Sequence, residues 1–305
     1  KDSLVWQFEI AFYTDNVMYL ELRALLPLVL QSPAAVAHPW NVSQAVNNVF
    51  LFAFVTQTYE WDGSTHDTAW TLKTYQEVTK QFTEDHPGFF APWRRFFYCF
   101  KCVKGSFTLL ACVWVQVGRE DKGRPLWYFR DALSLPAERG VKLPFFFHAG
   151  ETGDMHVEGT EVDQNLLDAL LFNTSRIGHG FALGRHPLAK ELSRKRGVAV
   201  EVCPISNQVL KLVNDMRNHP AAALMSENHP LVISSEYPAM FATSGLSYDF
   251  YEAFVGFGGV RSNLGSLKEL AMNSIRYSSL NSKLQDKALA GWKERWHKFV
   301  SENSF

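Results

Sequence analysis

Pro144-Phe145-Phe146-Phe147-His148-Ala149-Gly150-Glu151 is the stretch that decides the fold of this chain. A proline opens a run of three phenylalanines, too short for a helix, and the run ends in an imidazole, two small residues and a carboxylate. Strands buried on both faces of a parallel sheet read as continuous apolar runs, and parallel α/β barrels collect their reactive groups where such strands end. The same arrangement recurs on either side. Residues 175–178 end at His179, 198–202 end at Cys203-Pro204, and 231–234 end at Ser235-Glu236. Upstream, 110–117 stops at Gly118-Arg119-Glu120, and 17–23 (VMYLELR) reads as a first strand. Six strand candidates result. Apolar residues at three-and-four spacing predict helices over 163–171, 187–195, 264–277 and 284–300. In the last of these, Trp292, Trp296 and Phe299 are spaced to bury one stripe.

Strands alternating with helices predict a parallel sheet. The expected fold is therefore α/β, a TIM-type (β/α)8 barrel left incomplete because six strands rather than eight can be recognised, with residues 1–305 forming one domain. Two segments fit it badly. Residues 28–57 show no clear period until VFLFAFV, and 88–105 crowd seven aromatic residues around Arg94 and Arg95. Both are expected to be irregular.

Composition narrows the function. With 30 basic against 31 acidic side chains and a formal net charge of −1, no global field favours nucleic acid or an anionic membrane. The apolar runs fall far short of the roughly 20 residues that span a bilayer. Residues 1–9 lack the apolar core and small-residue cleavage site of a signal peptide, so none is expected in the sequence as it stands. Four cysteines are too few for a disulfide framework at this length; Cys99 and Cys102 form a CxxC that reads as packed thiols, a structural disulfide or a weak metal signal. Asn41-Val42-Ser43 and Asn173-Thr174-Ser175 are glycosylation sequons.

The chemistry-bearing residues stand at strand ends. His148 with Glu151 three positions on can hold a borderline metal and move protons at its water. His179 sits between two glycines that remove bulk where a substrate could approach. Glu236 adds a carboxylate suited to a hard or borderline ion. Each alone has a bland reading as a solvated or hydrogen-bonded loop residue; three in order point to one shared site.

HAGE (148–151), RIGHG (176–180), EVCPISN (201–207) and the acidic strand end at 234–236 resemble, in this order, the signature of the adenosine deaminase family. GLSYDFYE (245–252) and YTDNVMYLELR (13–23) are similar to its secreted growth-factor branch. The resemblance implies zinc-dependent deamination of adenosine or 2′-deoxyadenosine, an extracellular location and the possibility of cell-surface receptor or glycan binding. It implies His148 and Glu236 as zinc ligands, Glu151 as the proton carrier at purine N1, and His179 as the residue orienting the attacking hydroxide. The Gly118 backbone and Tyr237 would contact the purine.

Two departures weigh against full activity. The family's first strand carries an HxH pair of zinc ligands, and no HxH occurs in these 305 residues. Its last strand ends in two aspartates, where this chain has Glu236 and Tyr237. Glutamate is longer by one carbon–carbon bond, about 1.5 Å, against a ligand tolerance of roughly 0.2 Å. The expectation is an adenosine deaminase by descent with impaired activity. The alternative is a non-catalytic, growth-factor-like secreted ligand that retains the fold.

Overall fold

The computed structural model describes residues 4–21, 23–24, 58–59, 64–66, 68–89, 97–98, 113–114, 120, 124–151, 164–236, 238 and 241–304. Nine strands occur among them: β1 (Arg23–Ala24), β2 (Thr58–Tyr59), β3 (Thr65–His66), β4 (Phe97–Tyr98), β5 (Val113–Trp114), β6 (Phe145–Ala149), β7 (Thr174–His179), β8 (Ala199–Val202) and β9 (Leu231–Ile233). β2 and β3 pair as a small antiparallel ribbon. The other seven form one sheet in the order β1-β4-β5-β6-β7-β8-β9, with every pairing parallel. Sequential order with helices between strands is the winding of a (β/α)8 barrel. Among the described residues no ladder joins β9 back to β1.

The sheet has seven strands where the sequence pattern shows six. The additional strand, β4, comes from the aromatic segment 88–105 that reads as irregular. A two-residue strand held between β1 and β5 is too short to display a period of two, and Phe and Tyr favour extended backbone on a pleated surface. Of the expected first strand, 17–23, Tyr19 forms an isolated bridge, Leu22 lies outside the described residues, and Arg23 enters the ladder that continues to Ala24. Residues 28–57 and the Cys99-Cys102 pair lie outside the described residues.

Alternation along the strands separates two environments. Phe147, Ala149, Ile177, Val200, Val202, Leu231 and Ile233 belong to one buried cluster with Leu166, Leu170, Leu183, Leu224 and Leu270 from the surrounding helices. The alternate positions Phe146, Arg176 and Glu201 are buried outside that cluster. Helices 165–171, 187–196 and 264–276 lie close to their sequence-predicted bounds. Pro187 opens the second and Gly197 closes it with φ 66°, the asymmetry expected of a helix start and stop. The last helix, Ser282–Asn303, departs from expectation in its packing. Trp292 stacks on Trp296 at 5.3 Å between ring centroids, yet both are only half-buried and Phe299 is 47% exposed. The stripe clusters with itself and with Lys268, whose ammonium lies 5.9 Å from the Trp296 ring centroid, rather than entering the core.

Arg176 occupies the middle of the sheet and binds across it. Its Nε donates to Glu201 Oε1 on β8 at 2.7 Å, its Nη1 donates to the Tyr277 carbonyl at 2.8 Å, and its Nη2 pairs with Glu21. The guanidinium also lies 4.3 Å from the Phe146 ring centroid on β6. Glu21 in turn accepts from the Ser279 backbone N–H at 2.6 Å. Replacing Arg176 with Met would leave buried Glu201 and part-buried Glu21 without their cationic partner, a loss of about 3–5 kcal/mol. Urea titration followed by tryptophan fluorescence should show this drop, and a change below about 1 kcal/mol would count against the network's structural role.

Candidate active site

The HAGE turn after β6 is shaped by a carboxylate thirty residues away. Glu120 Oε1 accepts from the Gly150 backbone N–H at 2.8 Å and from Asn165 Nδ2 at 2.9 Å, while Oε2 accepts from the Glu151 backbone N–H at 2.8 Å. Charge-assisted bonds of this kind are roughly twice as strong as neutral ones. Glu120 therefore fixes the backbone from which Glu151 projects. Sequence reasoning noted it only as the end of a strand; the signal available was a carboxylate at a strand terminus next to Gly118-Arg119.

β7 ends in a left-handed turn. His179 has φ 60° and Gly180 φ 53°, and a Cβ on Gly180 would come within 2.6 Å of Val200 Cγ1. Gly178 lies against His148, since a Cβ there would sit 3.1 Å from the ring's Cγ. Bulk removal by these glycines is thus what lets the two imidazoles approach, with ring centroids 4.9 Å apart. Glu236, after β9, also has positive φ, 55°. Non-glycine residues in this region cost of order 1–3 kcal/mol each and persist where the surroundings over-determine them.

These constraints converge on His179. Its Nε2 lies 3.6 Å from Glu151 Oε1 and 3.9 Å from Glu236 Oε1, and its side chain is 1% exposed. His148 joins through its ring contact. Gly118 and Tyr237 lie outside the described residues. Cys203, which sequence reasoning treated only as part of a motif, follows β8 and is buried; ligand atoms of His179, Cys203 and Glu236 all fall within 4.8 Å of one another. The imidazole, thiol and carboxylate of this group are suited to a borderline divalent ion. His148 approaches this group through its ring contact with His179, with centroids 4.9 Å apart.

The layer beneath is polar and specific. Asp249 is buried and its Oδ1 accepts from the Ile205 backbone N–H at 3.1 Å, pinning the turn that follows Cys203. Burial pushes its carboxyl up to about 7, reinforced by the charges of Glu252 and Glu236 and opposed by the Ile205 bond. The Ala221 backbone N–H donates to His219 Nδ1 at 3.0 Å, so Nε2 carries the proton and donates to Asn207 Oδ1 at 2.9 Å. Burial depresses His219 to about 4, and it does the same for His229. At the other end of the 245–252 motif, Asp15 accepts from the Ser247 backbone N–H at 2.8 Å, tying the N-terminal helix Leu4–Thr14 to this layer.

Against this geometry, the family model described as adenosine deaminase matches residues 118–291. The chain belongs to the adenosine deaminase family. It is similar to adenosine deaminase 2-A of Danio rerio, at 50% identity over 96% of this chain and 54% of that protein. It is also similar to adenosine deaminase 2 of Sus scrofa, at 45% identity over 95% of this chain and 54% of the relative. The chain thus spans about half the length of these curated relatives. The fold is similar to that of an amidohydrolase from Burkholderia ambifaria solved with bound Zn, with a TM-score of 0.58 and 14% identity over 98% of this chain and 73% of that one. These likenesses agree with a barrel of the adenosine deaminase type.

Two measurements test the site's framework. Glu120→Ala should cost about 2–4 kcal/mol by leaving enclosed N–H groups without their charged acceptor; thermal or urea unfolding reads it. The second is pH. Depressed histidines stabilise the fold above their unfolded value of 6.5 and withdraw that support as pH falls toward 4; raised Asp249 does the reverse, supporting the fold in acid and losing it as pH rises through 7. Below about pH 6 the two histidines take up protons more readily in the unfolded chain, and raised Asp249 opposes them. Asp249→Asn should therefore make stability fall more steeply on acidification than it does in the unsubstituted chain. A flat profile in urea midpoints would contradict the assignment.

Proposed function

We propose that this chain carries the strand ends of an adenosine aminohydrolase, which consumes water to convert adenosine or 2′-deoxyadenosine into the inosine product and ammonia, and that its own activity is impaired. The observation carrying this reading is the convergence of Glu151 and Glu236 on the Nε2 of His179. Glu151 is the proton carrier: protonated at the end of its side chain, it gives a proton to purine N1 as water oxygen bonds to C6 and His179 takes one water proton; His179 then gives that proton to the C6 amino group, the C6–N bond breaks to release ammonia, and the remaining hydroxyl proton returns to Glu151 as the C6 carbonyl forms. His179 orients the attacking oxygen, with the Gly118 backbone and Tyr237 against the purine and His148 and Glu236 as the zinc ligands of the family pattern.

Zinc, when bound, lowers the pKa of water to about 7 and so supplies hydroxide at neutral pH. Catalytic zinc takes three protein ligands and a water, and of the strand ends in this chain His148 keeps the family's ligand while Glu236 and Tyr237 replace its two aspartates. That replacement is the shortfall that supports impairment. General acid–base catalysis by Glu151 contributes about 10²–10⁴-fold, below the roughly 10⁶-fold of ordinary enzymes.

The same shortfall favours a second reading, a secreted, growth-factor-like ligand that kept the fold and binds a receptor or glycan. Support for an extracellular, glycosylated protein comes from Asn173, which is exposed in a left-handed turn with Ser175 exposed two positions on. Adenosine turnover with zinc added separates the two. Slow conversion to inosine that falls a further 10²–10⁴-fold in Glu151→Gln is expected for the enzyme; no conversion above background leaves the ligand reading. Glu236→Asp with Tyr237→Asp should raise turnover, and unchanged turnover in that double variant would refute the proposed shortfall.

A further inference from the structure

Helix Asn165–Leu171 opens on a residue that holds two parts of the chain together. Asn165 is 3% exposed, and both ends of its amide are engaged. Its Nδ2 donates to Glu120 Oε1 at 2.9 Å, and its Oδ1 accepts from the Leu126 backbone N–H at 2.8 Å. These partners fix which way the amide points, because reversing it would set an oxygen against a carboxylate and an NH2 against an N–H. One helical turn on, Asp168 Oδ2 accepts from the Trp127 backbone N–H at 3.2 Å. Asn165 thereby ties Glu120 to the start of the short helix Leu126–Phe129. Gly118, placed against the purine above, lies two positions before Glu120.

The turn that carries Glu151 is gripped at the same corner. Glu120, the carboxylate that Asn165 orients, accepts from the backbone N–H groups of both Gly150 and Glu151. Leu166, next to Asn165, closes on the turn from the apolar side: a Cβ on Gly150, where φ is 69°, would meet three Leu166 carbons at 3.0 Å. From the opposite side the Ala182 N–H donates to the Gly150 carbonyl at 2.8 Å, and the Gly180 N–H donates to the Ala149 carbonyl at 3.2 Å. The backbone under Glu151 is therefore held between Glu120 on one side and the turn after His179 on the other. Its polar side depends on a buried amide that donates to Glu120 and accepts from Leu126.

We propose that Asn165 is a positioning residue for the proton transfers of Glu151, acting through Glu120. The proposal rests on the reading of Glu151 as the proton carrier. Charge-assisted bonds hold direction as well as energy, so removing the Nδ2 donor lets the Glu120 carboxylate swing and takes the Gly150–Glu151 backbone with it. Misplacement of a reacting group by about 1 Å costs on the order of 10²-fold in rate. The contacts that bind the purine are left in place, so the loss belongs to kcat rather than KM.

Asn165→Asp tests this with shape preserved: the acceptor for Leu126 stays, and a carboxylate oxygen is turned on Glu120. With adenosine and added zinc, kcat should fall about 10²-fold with KM nearly unchanged. Glu120→Gln should fail in the complementary way, since either orientation of its amide sets an NH2 against a backbone N–H. Combining the two substitutions lets the new amide donate to the new carboxylate while its oxygen still accepts from the Glu151 N–H. The double variant should turn over about tenfold faster than either single variant, a recovery that a general loss of packing would not give. A double variant no faster than the singles overturns the proposal, as does unchanged kcat in Asn165→Asp. Hydrogen exchange supplies a readout without turnover: the Gly150 and Glu151 amides should be protected in the unsubstituted chain and exchange at least about tenfold faster in Asn165→Asp, with helix 187–196 unaffected. Unprotected amides in the unsubstituted chain overturn the clamp even if a variant does not fold. Absence of inosine from the unsubstituted chain rejects the aminohydrolase reading and the role of Asn165 in proton transfer with it, whereas full turnover in Asn165→Asp rejects the role of Asn165 alone.

Discussion

The guanidinium of Arg176 is the constraint on which the remaining architecture rests. A parallel sheet wound in sequential order has no intrinsic device for holding its first strand against its later ones, and among the described residues β1 has two in the ladder. Arg176 supplies the tie by pairing at once with Glu21, just before β1, and with Glu201 on β8. Burying a charge of this kind is costly unless both its partners and its remaining donors are satisfied. The Tyr277 carbonyl and the Phe146 face complete that requirement, so four parts of the chain are fixed by one side chain.

The same residue explains why RIGHG holds the first part of a site and of a scaffold in five letters. Arg176 points into the enclosed side of the sheet and sets the position of β7; two residues on, Gly178 makes room for His148, and the next residue turns left-handed to present its imidazole. Glu120 does for the β6 turn what Arg176 does for β7 by holding backbone rather than side chain. Site geometry is consequently inherited from strand register, and the side chains that perform chemistry need few contacts of their own.

Much of this was legible in the linear order of residues. Short apolar runs ending in His148, His179, Cys203 and Glu236 announced parallel strands, and the helices at 187–196 and 264–276 followed from their three-and-four spacing. What escaped has a common physical origin. β4 has two residues, below the length at which any period exists. Glu120 acts on atoms thirty positions away, so nothing near it in the chain reveals that it accepts three hydrogen bonds. Cys203 was legible only as a strand end and part of a motif, because its proximity to His179 and Glu236 exists only once β7, β8 and β9 are adjacent. The stripe at Trp292, Trp296 and Phe299 was legible as a stripe, but periodicity shows that a face is apolar without showing what covers it.

The span of the Arg176 tie has a kinetic meaning. Glu21 lies 155 residues before Arg176 and 258 before Ser279, the two groups that satisfy its carboxylate. A chain emerging from the ribosome exposes that glutamate long before either partner exists, and loop closure over such distances carries its entropic cost before any contact repays it. The helices and the β6-β7-β8 ladder can form from nearer neighbours. β1 can pair with β4 once Phe97–Tyr98 is made, but completion of the Glu21 tie must wait for nearly the whole sequence, which makes it a late event in folding.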